Sequence, residues 1–176
     1  MKACIICAQG LEECEALITY DLLFRSPIEV KLVGLEKEVT SSHNVTIKTD
    51  LTIDELDYKD YDCLILPGGM PGTNNLEAND TVLKIIDYFV SNDKYIAAIC
   101  SAPSILSHKG LIIDNEFTCF PGSVEELKSN NKKAYTYNKI ITGKGMGATF
   151  EFAYEIIKAL VDEKTAKEIF ERTQFI

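Results

Sequence analysis

The chain alternates short unbroken apolar runs with longer stretches in which apolar residues recur every three or four positions. Residues 2–8 form a run of the first kind, as a strand buried on both faces requires. Gly10 breaks it. Residues 12–25 then place Ala16, Leu17, Tyr20, Leu23 and Phe24 at helical spacing, and Pro27 stops the helix. The same alternation predicts strands over 29–35, 62–66, Tyr95–Ile99 and 139–142. It predicts helices over Asp80–Ser91, over 101–109 with Gly110 closing at C′, over 148–161 and over 164–172. Between 38 and 56 the pattern is irregular, and Val45, Ile47 and Leu51 suggest a short hairpin. Residues 117–120 and 135–137 read as short extended segments.

Strands separated by helices of this length require parallel pairing through right-handed crossovers. The predicted fold is therefore α/β: a flavodoxin-like three-layer sandwich with a mostly parallel, doubly wound sheet. In such sheets, sites form beyond the carboxyl ends of the strands. That rule selects three places, after Ala8, after Leu66 and after Ile99.

With 176 residues the chain is read as a single domain spanning 1–176. The formal net charge of −9, with Lys132-Lys133 the longest cationic run, argues against nucleic-acid binding. No apolar run approaches the ~20 residues of a membrane span. The apolar start is too short for a signal peptide and runs at once into Glu12 and Glu13, so the expected location is cytoplasmic. The six cysteines then read as free thiols. Cys4 and Cys7 stand three apart on a strand and so point to opposite faces, which suits neither a shared metal nor a disulfide.

After Ile99 come Cys100, Ser101, Ala102 and Pro103, then a helix. A residue on a tight strand-to-helix turn has its side chain thrust out above the sheet, the geometry of a nucleophile elbow. The start of the helix is expected to stabilise a thiolate and lower the thiol pKa. Spacing alone suits equally a core cysteine ending a strand. Pro67-Gly68-Gly69 lets backbone N–H groups approach a ligand, and with the Ser101 N–H they suit an oxyanion hole or a plain turn. Glu12, Glu13 and Glu15 follow the first strand. A carboxyl there, held near sulfur and away from water, acts as a general acid and base; acidic residues also simply favour helix N-termini. Gly143-Lys144-Gly145-Met146-Gly147-Ala148 matches a dinucleotide fingerprint, but no strand with an acidic residue follows, so it reads as a close-packed turn under the site.

Leu64-Ile65-Leu66-Pro67-Gly68-Gly69, Ala97-Ala98-Ile99-Cys100-Ser101-Ala102-Pro103 and Thr149-Phe150-Glu151-Phe152-Ala153 together resemble the ThiJ/PfpI superfamily. Within it the chain is similar to the DJ-one branch, the parkinsonism-associated deglycases and their bacterial relatives. The resemblance implies that Cys100 is the reactive, oxidisable cysteine and Glu15 the acid beside it. It implies that Gly68, Gly69 and Ser101 supply N–H groups, and that the protein is a homodimer. Arg25 matches an arginine of a dimer-side pocket, and His43 stands where a second arginine often occurs. Phe120 replaces a histidine that many relatives place before Pro121. Of the two histidines present, His108 lies about 12 Å along the helix from Cys100 at 1.5 Å per residue and reads as a surface residue. Cys119 is adjacent to Phe120 and reads as a core or a resolving cysteine.

The implied function is that of a glutathione-independent glyoxalase or deglycase acting on small reactive carbonyls such as methylglyoxal, with no cofactor and no metal. The alternative is a non-catalytic redox sensor or chaperone-like stress protein using oxidation of Cys100.

Overall fold

In the computed structural model, which describes residues 1–175, the alternation closes into one seven-stranded sheet. The chain begins with β1 (Lys2–Cys7), an interior strand of the sheet, followed by α1 (Glu13–Phe24) and β2 (Glu29–Gly34). A hairpin of β3 (Glu38–Thr40) and β4 (Thr46–Lys48) stands outside the main sheet, and β5 (Leu51–Thr52) returns to its edge. Then come β6 (Cys63–Leu66), α2 (Gly72–Glu77), α3 (Asp80–Ser91), β7 (Tyr95–Ile99) and α4 (Pro103–His108). The chain ends with β8 (Ala134–Tyr137), β9 (Ile140–Gly143), α5 (Thr149–Leu160) and α6 (Glu163–Arg172).

The strand order is β5-β2-β1-β6-β7-β9-β8, and all neighbours are parallel except β8 with β9. The chain leaves β1 to one side for β2 and later returns on the other side for β6. The order therefore reverses between β1 and β6, where a crevice must open beyond the strand ends. This is the doubly wound sheet the pattern predicts.

Two apolar layers follow from the period of two along each strand. Ala3, Ile5 and Cys7 of β1 pack into one layer with residues of α1, α5 and α6. Cys4, Ile6 and Ala8 pack into the other with residues of α3 and α4. Cys4 and Cys7 thus fall in opposite layers as free thiols. Fully buried Phe89 on α3 and Phe152 on α5 anchor the two sides, each contributing about 1.5–3 kcal/mol by leaving water.

Helix ends follow local chemistry. Asn79 caps α3 by accepting from the N–H groups of Thr81 and Val82, and Asp162 caps α6 by accepting from Thr165. Gly110, at φ +67°, stands at C′ of α4 as the sequence predicts. Two segments differ from expectation. Residues 117–120 form no strand: Thr118 instead donates its N–H to Thr142 Oγ1 and its hydroxyl to Lys132 O. Helix α2 is not foreseen, because only one of its large side chains, Leu76, is buried and no apolar period marks it.

Candidate active site

Cys100 follows the last residue of β7 with φ +65°, in the left-handed region. For a residue with a Cβ this conformation costs about 1–3 kcal/mol and persists only where surroundings enforce it. The Cys100 N–H donates to Gly143 O at 2.9 Å, and its carbonyl accepts from the Phe120 N–H at 2.8 Å. The adjacent turn is closed by the Ala102 N–H donating to Ile99 O at 3.0 Å. These bonds tie the β7 end to the end of β9 and to the loop at Phe120.

Glu15 projects from the first turn of α1 and is 1% exposed. Its Oε2 accepts from the Gly68 N–H at 2.8 Å, while Oε1 is buried with no partner among the described residues. A methyl group on Gly68 would lie 2.6 Å from Cys100 Cβ and 2.9 Å from Glu15 Oε2. Sulfur-bearing residue and carboxyl therefore meet across a gap that only glycine leaves open. Gly69, at φ +92°, has the backbone of Leu11 and Glu12 where a side chain would go. It thereby clamps the β6 loop to the start of α1.

Burial pushes the Glu15 carboxyl up to about 7, against the lowering effect of the Gly68 N–H and of Cys100. The Cys100 thiol is also pushed up, to about 12, first by burial and then by the Glu15 charge beside it. The Ser101 and Gly69 N–H groups act in the opposite sense on the sulfur. The sequence-based expectation of a thiol lowered by a helix start is thus reversed. Helix α4 begins only at Pro103 and has six residues, so its dipole is weak at the sulfur. The chemistry available is a thiol beside a carboxyl that titrates near neutrality, which can take the thiol proton as sulfur attacks.

The predicted residues Cys100, Glu15, Gly68, Gly69 and Ser101 come together at the β1–β6–β7 ends. The Gly68 N–H is engaged by Glu15, so the N–H groups that face sulfur are those of Gly69 and Ser101. A cavity of about 510 Å³ opens beside them, lined among others by Gly69, Met70, Cys100, Ser101 and Phe120. Three of its lining residues, Thr73, Asn74 and Glu77, belong to the unforeseen α2. His108 also lines it, bound through Nδ1 to Glu77 Oε1 at 2.5 Å, so it is a rim residue of the cavity as well as an exposed one. The hydrogen bond to Glu77 holds the His108 imidazole above its usual pKa.

Arg25 and His43 lie outside this cavity. Arg25 pairs with Asp21 on α1 at 2.7 Å, and His43, in the β3–β4 hairpin, pairs with Glu13 at 3.1 Å. Glu12, Glu13 and His43 bring one ligand atom each within 4.8 Å of one another, an arrangement their surface ion pairs already account for. Cys119 packs into the α3–α4 layer, whereas Cys100 packs on the α1–α5 layer, so the two cysteines belong to different layers. The glycine turn at 143–147 does pack against the site: a methyl on Gly145 would come within 4.0 Å of Cys100 Sγ.

Residues 1–159 match the DJ-1/PfpI family, and the chain belongs to that family. It is 35% identical to Protein DJ-1alpha of Drosophila melanogaster, over 96% of this chain and 81% of that protein. It is 29% identical to the Glutathione-independent glyoxalase DJR-1.2 of Caenorhabditis elegans, over 86% of this chain and 84% of that one. Among solved structures, oxidized Toxoplasma gondii DJ-1 superposes with a TM-score of 0.92 at 28% identity, covering 98% of this chain and 97% of that one. Among the described residues no helix is long and apolar enough to cross a membrane.

Proposed function

We propose that this protein is a glutathione-independent glyoxalase that uses Cys100 as nucleophile and Glu15 as the mobile acid and base. The observation that carries the reading is the buried Glu15 carboxyl, brought to about 7, facing Cys100 across Gly68. The name of the worm relative supports the same chemistry.

The steps balance. Glu15 takes the thiol proton as Cys100 Sγ bonds to the aldehyde carbon of methylglyoxal, and the new alkoxide is held by the Gly69 and Ser101 N–H groups. Protonation of that oxygen gives a hemithioacetal. Glu15, freed of the thiol proton by giving it to that oxygen, then removes the proton from the former aldehyde carbon and returns it to the neighbouring ketone carbon, while the hydroxyl proton passes from the first oxygen to the second. The first carbon is oxidised and the second reduced by the same electron pair, so no external electron acceptor enters. The product is a thioester of a 2-hydroxy acid. Water attacks it, the C–S bond breaks, and lactate leaves with Cys100 restored as a thiol.

A sensor reading needs ready formation of thiolate. The upward shift of the Cys100 thiol disfavours free thiolate, so either reading relies on Glu15 to take the proton. A homodimer that turns Arg25 and His43 toward a partner's site belongs to the same proposal. Its support is α1, whose outer face leaves Leu17 and Phe24 36% and 68% exposed. The test is lactate production from methylglyoxal without glutathione, comparing the unaltered protein with Cys100→Ala and Glu15→Gln. Turnover present in the first and lost in both variants is expected. A chain that makes no lactate, or a Cys100→Ala protein that still does, would overturn the assignment.

A further inference from the structure

The α2–α4 side of the cavity takes no part in the reaction described above. Two short helices present facing rows there, Thr73, Asn74 and Glu77 on α2 against Ser104 and His108 on α4, with Ser101 just before α4. Thr73 and Glu77 stand four apart, as do Ser104 and His108, so each pair shares a helix face. The rows are joined at both ends. Beside Cys100, Thr73 Oγ1 and Ser101 Oγ are 2.6 Å apart, and at the far end Glu77 Oε1 meets His108 Nδ1 at 2.5 Å. With Nδ1 engaged by the carboxylate, His108 retains Nε2 for a ligand. Across the cavity the lining is apolar, with Met70 and Phe120 55% and 53% exposed.

We propose that the substrate of this site is a reactive carbonyl carrying a hydroxylated chain, such as a sugar-derived 2-oxoaldehyde, with Glu77, His108, Asn74 and Ser104 as the specificity-determining groups that bind its hydroxyls. The inference rests on the carbonyl chemistry proposed above and deepens it. Size supports it. A cavity of about 510 Å³ lies within the range of small-molecule sites, and a three-carbon aldehyde would fill little of it. Length supports it too. Helix α4 alone, from Pro103 to His108, covers about 7.5 Å along its axis beyond the turn at Cys100, and side chains on a helix lean back toward its start. A three-carbon adduct on sulfur stops short of the far pair, whereas a chain of about six carbons approaches it. The chemistry agrees. A wall that offers hydroxyl, amide, imidazole and carboxylate groups favours a ligand whose own hydroxyls replace the displaced water, and disfavours an alkyl analogue that cannot.

The test uses 3-deoxyglucosone, a six-carbon 2-oxoaldehyde with a hydroxylated tail, against methylglyoxal. Binding is read on Cys100→Ala protein, so that it does not depend on turnover. The chain has two histidines, so the His108 imidazole signal is readily followed in a proton NMR titration. The His108 signal should saturate at about tenfold or more lower concentration of 3-deoxyglucosone than of methylglyoxal, as two or more added hydrogen bonds imply. Adding Glu77→Gln should reduce that preference by about tenfold. His108→Gln, a milder change that keeps a good helix former, serves if Glu77→Gln fails to fold; for it the preference is read from the affected backbone amides. In protein that retains Cys100, the ratio of kcat/KM for the two substrates should fall in the same variants. Equal affinities, no binding of 3-deoxyglucosone, or a preference unmoved by the substitutions would overturn the inference. Absence of turnover with the binding preference intact would strike the proposed reaction and leave this inference standing.

Discussion

Replacing Glu15 with glutamine should change how stability depends on pH, and burial fixes the sign. The carboxyl rises from its ordinary 4.5 to about 7 in the folded chain. Below 4.5 it is neutral in both folded and unfolded states. As the pH rises toward 7 the unfolded chain releases the proton and the folded chain keeps it, so stability falls through that window and is level above it. The full difference is about 3 kcal/mol at 1.36 kcal/mol per pKa unit. Glutamine has no such proton and keeps an acceptor for the Gly68 N–H, so the variant should lack this fall. The pI of about 4.8 makes the acid end prone to association, so the useful range is about pH 5.5 to 8. Within it the gap between the two proteins should widen by about 2 kcal/mol in favour of the variant. The chain has no tryptophan, so far-ultraviolet circular dichroism is the natural probe of urea unfolding at each pH. Parallel curves for the two proteins would overturn this expectation. They would mean that the carboxyl is not held neutral and is not suited to carry a proton at neutral pH.

Further outcomes follow from the packing. Gly68→Ala inserts a methyl between Cys100 Cβ and Glu15 Oε2; it should lower stability by about 1–3 kcal/mol in urea titrations and cut kcat/KM for methylglyoxal at least about tenfold. Asn79→Ala removes the acceptor for two N–H groups at the start of α3 and should cost about 1 kcal/mol in the same titration. Phe89→Ala empties the centre of the α3 side and should cost about 3–5 kcal/mol, seen as a large drop in the urea midpoint.

The layers of this fold are legible in the sequence because they depend on local period. The alternation Ala3, Ile5, Cys7 against Cys4, Ile6, Ala8 assigns each residue to a face before any partner is known. Cys100 and the glycines after β6 are legible for a similar reason, since strand ends in a doubly wound sheet converge. Helix α2 is not legible. It lends Thr73, Asn74 and Glu77 to the lining of a cavity, and polar residues along that side leave no apolar stripe. The sign of the Cys100 shift is also hidden. It depends on the depth of burial and on the Glu15 charge beside the sulfur, both set by contacts across the sequence rather than along it. Residues 117–120 mislead because an apolar, extended stretch can satisfy its amides through Thr142 Oγ1 and Cys100 O without joining a ladder.

The left-handed backbone at Cys100 has a consequence for how the chain tolerates change. At that position glycine would relax the main chain, and every residue with a Cβ works against it. If stability alone governed the site, glycine would be the preferred occupant. A cysteine held there marks a point where usefulness of a side chain outweighs the comfort of the backbone. Stability-guided redesign of this chain would choose position 100 among its first substitutions, and so would erase the chemistry proposed for it while improving the fold.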